Sequence, residues 1–132
     1  MRPTRSRPRE SLALAHGLYY VLTGLWPIIS MRSFEAVTGP KRDGWLVRMV
    51  GLLAVVIGLA VLRGRERPDP ILAVGAPLAF AAIDATYVAR GRISRVYLAD
   101  AAAELAFAVA HLVARSGSTS KSPVRILSAG PT

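Results

Sequence analysis

Four stretches of about twenty mostly apolar residues, parted by short polar connections, constrain this chain more than any other feature. They cover residues 11–31, 44–62, 70–89 and 94–114. A helix needs about 20 such residues to cross the hydrocarbon core of a bilayer, and only helices or closed barrels satisfy their backbone polar groups there. The expected fold is therefore all-α, a transmembrane antiparallel four-helix bundle over residues 11–114. A basic tail over residues 1–10 precedes it, and a flexible C-terminal tail over 115–132, rich in Ser, Gly and Pro, follows. Asp43 and Asp69 are expected N-caps for the second and third spans, and Pro70 suits a first helical turn that needs no N–H. The first stretch follows Arg2, Arg5, Arg7 and Arg9 as a secretion signal would, but it is too long and no small-residue cleavage pattern follows Trp26-Pro27. It reads as a retained span.

Composition narrows the function classes. The 132 residues are 52% hydrophobic and only 19% charged, with a net charge of +9 and no cysteine. Without Cys there is no disulfide framework, thiolate nucleophile or cysteine-ligated metal. Nucleic-acid binding calls for a contiguous basic face, whereas these Lys and Arg alternate between the two ends of the spans. With the N-terminus inside, the inner side holds ten of them: Arg2, Arg5, Arg7, Arg9, Arg63, Arg65, Arg67, Arg115, Lys121 and Arg125. The outer side holds six: Arg32, Lys41, Arg42, Arg90, Arg92 and Arg95. The positive-inside rule then predicts a multi-pass protein with both termini cytoplasmic. Fifteen Arg against two Lys, with abundant Ala, fits a bacterial chain from a GC-rich genome, and the expected location is the bacterial inner (plasma) membrane.

In lipid, helices associate where small residues let backbones approach. Gly17 and Gly24 in the first span, Gly44, Gly51 and Gly58 in the second, and an Ala stripe of Ala99, Ala103, Ala106 and Ala110 in the fourth are the expected packing devices. Arg48 lies four residues after Gly44 and three before Gly51, so it is expected to point at protein. Pro77, two residues after Gly75, is expected to bend the third span.

Six ionisable residues sit where the bilayer should be: His16, Arg48, Asp84, Asp100, Glu104 and His111. Each charge at the centre of a span costs about 2.5–3.5 kcal/mol on insertion scales, so such residues face the bundle interior and mark function. At about 1.5 Å per residue, Arg48, Asp84 and Asp100 share one layer near the outer side. Glu104 falls near the midplane on the Asp100 face, and His16 and His111 lie near the inner side. Tyr20 and Thr23 extend the His16 face, and Tyr87 and Tyr97 are possible donors near the outer layer. The interior polar cluster is thus Arg48, Asp84, Asp100 and Glu104, with His16, Tyr20 and His111 as relay or pocket. One Arg against three carboxyls leaves the interior at about −2 if all ionise, so protons, water or a cation must enter. Two His and Glu104 are too far apart in depth for a metal site, and no cofactor is indicated.

The segment Phe34-Glu35-Ala36-Val37-Thr38-Gly39-Pro40-Lys41-Arg42-Asp43-Gly44-Trp45-Leu46-Val47-Arg48 is the most individual part of the chain. Gly39-Pro40 breaks a helix, Lys41 and Arg42 suit headgroup phosphates, and Trp45 suits an interface. Phe34 and Val37 are expected to lie on the membrane. Together with Leu25-Trp26-Pro27, the segment resembles small bacterial four-span membrane proteins of the DoxX-like group, a resemblance that covers roughly residues 16–63. It implies an association with membrane redox complexes and quinone-linked chemistry, but it brings no catalytic residue onto this chain.

The leading expectation is a non-enzymatic integral membrane protein, an accessory subunit or a binder of a small molecule or lipid. Its partners would be membrane lipids, a larger membrane complex or further copies of itself, and not nucleic acid. The alternatives are a proton-coupled carrier or oligomeric channel using Asp100, Glu104 and His111, and an intramembrane enzyme or redox accessory subunit acting on a quinone or isoprenoid-like lipid. In the structural version of the leading reading, Arg48 clamps Asp84 and Asp100 as a salt bridge.

Overall fold

The computed structural model describes residues 6–119, and within them the chain is helical with no strand. The basic residues Arg2 and Arg5 and the C-terminal Lys121 and Arg125 lie outside the described residues. Five helices follow one another: α1 (Ser6–Ile29), α2 (Met31–Thr38), α3 (Gly44–Arg63), α4 (Ala76–Ala89) and α5 (Tyr97–Thr119), with a π-helical turn, Ile71–Gly75, leading into α4. Four stretches are long and apolar enough to cross a membrane: Arg7–Ile29, Gly44–Arg63, Ile71–Ala89 and Tyr97–Gly117. The fold is a transmembrane four-helix bundle. α5 runs on to Thr119, past the expected end of the fourth span at Ala114.

Two antiparallel pairs make the bundle, α1 with α3 and α4 with α5. The first pair is set by glycine. A methyl group on Gly51 would sit 2.5 Å from the Gly24 carbonyl oxygen, and one on Gly58 would sit 2.7 Å from that of Gly17. The backbones therefore touch at two points seven residues apart. The α3 seam then runs through Gly51, Ala54, Gly58 and Val61, all buried. Extended toward the start of α3, this alternation reaches Val47 four residues before Gly51, and Arg48 stands one residue off the seam. That step of four, where the sequence suggested three, turns Arg48 outward, and it is exposed.

On α5 the buried positions are Ala101, Glu104, Ala108 and His111. The expected stripe of Ala99, Ala103, Ala106 and Ala110 lies to one side of this seam, with Ala99 and Ala106 exposed. The seam follows the polar residues because the bilayer forbids them the outer face.

The connections follow local chemistry. Asp69 caps as expected, its Oδ1 accepting from the N–H of Ile71 at 2.8 Å and of Leu72 at 3.3 Å. Asp43 precedes α3 but makes no side-chain cap. Pro77 is fully buried and falls at the start of α4, just after the π-helical turn in which Ala76 N–H bonds to the Ile71 carbonyl. The wider turn absorbs the break that a proline imposes on α-helical bonding. At the opposite end, Ser30 caps α2, and Trp26 donates its indole N–H to Ser33 Oγ at 2.9 Å while packing edge-on against Phe34. Val37 is exposed.

The glycine contacts yield a direct prediction. Gly51→Ala and Gly58→Ala force the α1 and α3 backbones apart and lower stability by about 1–3 kcal/mol, the usual cost of overpacking. Gly44→Ala meets nothing closer than 3.8 Å and leaves stability unchanged. Thermal melting of the detergent-solubilised chain by circular dichroism checks this, and equal midpoints for Gly51→Ala and the parent contradict it.

Candidate functional site

The largest fully buried side chains of the bundle include Tyr20 and His16, and the buried polar residues include Asp84, Glu104 and His111. Leucine, isoleucine and valine are mostly on the outside. This is the arrangement lipid demands, since apolar side chains are soluble there and polar ones are not. The interior between α1, α4 and α5 is consequently an aromatic and ionisable layer.

Three levels of side-chain contact join α1 to α5. At the first, Tyr19 donates its hydroxyl to Asp100 Oδ1, and Thr23 on the same helix donates to the Tyr19 carbonyl at 2.6 Å. Asp84, from α4, is buried at this level, close enough to Asp100 for the two carboxyls to act on each other. Asp84 Oδ2 is buried with no donor on it. At the second level, Tyr20 donates to Glu104 Oε2 at 2.6 Å. Glu104 is 2% exposed. At the third, His16 Nδ1 and His111 Nε2 lie 3.1 Å apart, so one ring donates and the other accepts.

His16 is completely buried. Its ring stacks on Phe107 with centroids 4.6 Å apart and meets the edge of Tyr20 at 4.6 Å. Its second nitrogen, Nε2, has no partner among the described residues. Buried polar atoms are nearly always satisfied, and Nε2 and Asp84 Oδ2 are exceptions among the described residues.

The structure thus brings together Asp84, Asp100, Glu104, Tyr20, His16 and His111. Arg48 is left out. It is exposed, and the one charged group that acts on Asp84 is Asp100. The expected salt-bridge clamp does not form, and the interior holds three carboxyls and no fixed cation. Tyr87 is also turned away, under the Arg90 guanidinium at 5.8 Å from the ring centre. Tyr97 lies beneath Lys41 Nζ at 5.0 Å and ties the first connection to the start of α5. Tyr19 is the site residue that the sequence reading missed. It lies three residues after His16, and residues at that spacing share a helical face, which is the signal that points to it.

At the end of the bundle where α1 begins and α5 ends, Arg9 Nε and Nη2 donate to the Ala114 carbonyl at 3.0 and 2.5 Å. An open cleft of about 540 Å³ lies there, with His111 among its lining residues. Among the described residues no cluster of three His, Cys, Asp or Glu is arranged to hold a metal ion. No family model matches this chain, and comparison with curated proteins and with solved structures finds no match.

Removal of one interhelical hydrogen bond in a membrane bundle costs about 0.6 kcal/mol on average and up to about 1.7 kcal/mol. Tyr20→Phe is expected within that range, because it leaves Glu104 Oε2 without its donor. Arg48→Gln is expected to leave stability unchanged. Unfolding by a denaturing detergent measures both, and a loss for Arg48→Gln as large as that for Tyr20→Phe contradicts this placement.

Proposed function

We propose that this is a non-enzymatic, proton-exchanging membrane protein, a proton-coupled carrier or relay that works as a small accessory subunit or as an assembly of its own copies. The observation that carries the reading is that every ionisable group of the interior layer can both accept and release a proton, while Arg48, the cation expected in that layer, lies outside it. A structural salt bridge needs a permanent partner for each carboxylate. Asp84, Asp100 and Glu104 instead have each other, two tyrosine hydroxyls and a histidine pair.

Length supports the same reading. From Asp100 to His111 the layer rises about 16 Å at 1.5 Å per residue, roughly half of the ~30 Å hydrocarbon core. Asp100 is partly exposed and His111 borders the cleft, so both ends approach the surface. Two breaks interrupt the hydrogen bonds, one between Asp100 and Glu104 and one between Tyr20 and His16. Water accepted or donated at His16 Nε2 bridges the second. An intramembrane enzyme using Asp84 and Glu104 as acid and base draws less support, since Tyr20 already occupies Glu104 Oε2.

The shared end of α1 and α5 is proposed to face the cytoplasm of a bacterial inner membrane. The sequence count of ten Lys and Arg against six favours this, and Arg48, exposed near the other end, makes the outer count seven. Kinship with DoxX-like proteins stays a proposal that rests on the 34–48 segment.

Proton flux tests the reading. Purified chain in potassium-loaded liposomes is expected to dissipate an imposed pH gradient faster than protein-free liposomes. Glu104→Gln is expected to return the rate to the leak of bare vesicles, and Arg48→Gln to keep the parent rate. A parent chain no faster than bare lipid, or a Glu104→Gln variant as fast as the parent, removes the proposal.

A further inference from the structure

Among the ionisable residues carried inside the spans, His16, Asp84, Glu104 and His111 are buried, whereas Arg48 is exposed. Arg48 stands four residues into α3, about 6 Å along the axis from the helix start. A charge left in hydrocarbon is costly, so an arginine there needs a counter-charge or water. The chain supplies neither partner nor bridge: among the described residues Arg48 makes no hydrogen bond or ion pair, and Asp43, five residues before it, forms no bridge with it. The side chain instead leans toward the helix N-terminus, as helical side chains do. A methyl group on Gly44 would lie 3.9 Å from Arg48 Nη1 and 3.8 Å from Met31 Cε of α2. The guanidinium therefore sits level with the first residue of α3, close to the membrane surface, while its apolar stem crosses the hydrocarbon edge.

What surrounds Arg48 has the polarity of a lipid. Trp45 is exposed three residues before it, and Leu52 and Val56 are exposed at successive steps of four after it. Residues at those spacings share one side of a helix. From the surface inward, this side of α3 thus presents an indole, a guanidinium and an apolar strip. Indoles settle at the headgroup level, the planar guanidinium fork matches the oxygens of a phosphate, and the apolar strip matches an acyl chain.

We infer that Trp45, Arg48, Leu52 and Val56 form a binding site for a membrane phospholipid in the leaflet next to α2, with its phosphate on the Arg48 guanidinium and an acyl chain along Leu52 and Val56. Charge and depth select this occupant. A phospholipid brings an anionic phosphate to the level that the guanidinium reaches, with apolar chains directly below it. The inference goes beyond the relay reading and does not depend on it, because proton exchange concerns the interior layer from which Arg48 is excluded.

The chain has two tryptophans, so in a Trp26→Phe background, which gives up one exposed hydrogen bond to Ser33, fluorescence reports Trp45 alone. The medium is dodecyl maltoside, which carries no phosphate. The probes are phosphatidylcholine and diacylglycerol with the same dibrominated acyl chains, which quench a tryptophan they touch. Phosphatidylcholine has no net charge, so the +9 of the chain does not draw it in. Saturable quenching by phosphatidylcholine is expected at about tenfold lower concentration than by diacylglycerol, the scale of one charge-assisted hydrogen bond. Arg48→Gln is expected to abolish that preference and Arg48→Lys, which keeps the charge, to retain part of it. Arg48 is exposed, so both variants are expected to fold as the parent does. Arg90→Gln with Arg92→Gln, from the connection between α4 and α5 at the same end of the bundle, is expected to leave the preference unchanged. The inference is overturned if the two probes quench equally, if Arg48→Gln keeps the preference, or if the Arg90 and Arg92 pair abolishes it as Arg48→Gln does. Light scattering of the same samples tests a second copy as the occupant. A dimer of the parent that Arg48→Gln dissociates, with no preference for phosphatidylcholine, assigns this side of α3 to contact between copies and also overturns the inference. Phospholipid preference in a chain with no proton flux leaves the lipid site standing and removes the relay, and flux without the preference does the reverse.

Discussion

Contact between the α1 and α3 backbones is the constraint on which the rest of the molecule depends. A hydrophobic face cannot drive helices together in lipid, because lipid is as apolar as the side chains it would replace. Closeness has to come from shape, and Gly17 against Gly58 and Gly24 against Gly51 supply it. Once those four positions fix the rotation of α1, the directions of its other residues are set with it: Tyr19 points about half a turn away from Gly17, and Tyr20 lies beside the Gly58 contact. His16, Tyr19 and Tyr20 are thereby aimed at α5, where Asp100, Glu104 and His111 meet them. The glycine contact and the polar layer adjoin on one helix, with Tyr20 beside Gly58 and bonded to Glu104, so a change in the first displaces the second.

The four spans, the glycine heptads and the inward placement of Asp84, Asp100, Glu104, His16 and His111 were all legible in the sequence. Each follows from a rule that bilayers enforce strictly: length for spans, small residues for approach, exclusion of polar groups from lipid. The errors arose where a rule leaves two choices. Arg48 is three residues from Gly51 and Val47 is four, and both spacings put a residue near the same face; which one continues the seam depends on the partner helix. A long Arg side chain near the end of a span can also reach the interface, so exposure there is cheap in a way it is not for Glu104. The Ala stripe failed for a related reason. Alanine is tolerated on either face, so its spacing carries less information than that of the acids on the same helix.

Tyr19 and Tyr20 illustrate a different limit. Adjacent residues on a helix differ by about 100° in direction, and a reader choosing one inward residue would choose one of the two. Here both are used, because α5 presents acids at two levels one turn apart. The π-helical turn before Pro77 was similarly out of reach. Proline signals a break in α-helical bonding, but whether the chain answers with a kink or with a widened turn is decided by the packing of Ala73 and Pro77 in the interior.

Displacing Arg48 from the interior changes the chemistry more than its single charge suggests. With an arginine beside Asp84 and Asp100, the carboxyls would have a permanent counter-charge and a reason to remain ionised and still. Without it, the two carboxyls have no permanent counter-charge, and neighbouring Tyr19 offers its own hydroxyl to Asp100. Two tyrosines and two histidines continue that logic along α1 and α5. A bundle that needed polar contacts only for specificity would be served by one buried hydrogen bond and would leave no buried atom unpaired. This one keeps His16 Nε2 and Asp84 Oδ2 open inside a bilayer-sized structure, at a desolvation cost of about 1–3 kcal/mol for each if nothing fills them. Under the proposed proton exchange, both atoms are points that water or a proton occupies in turn.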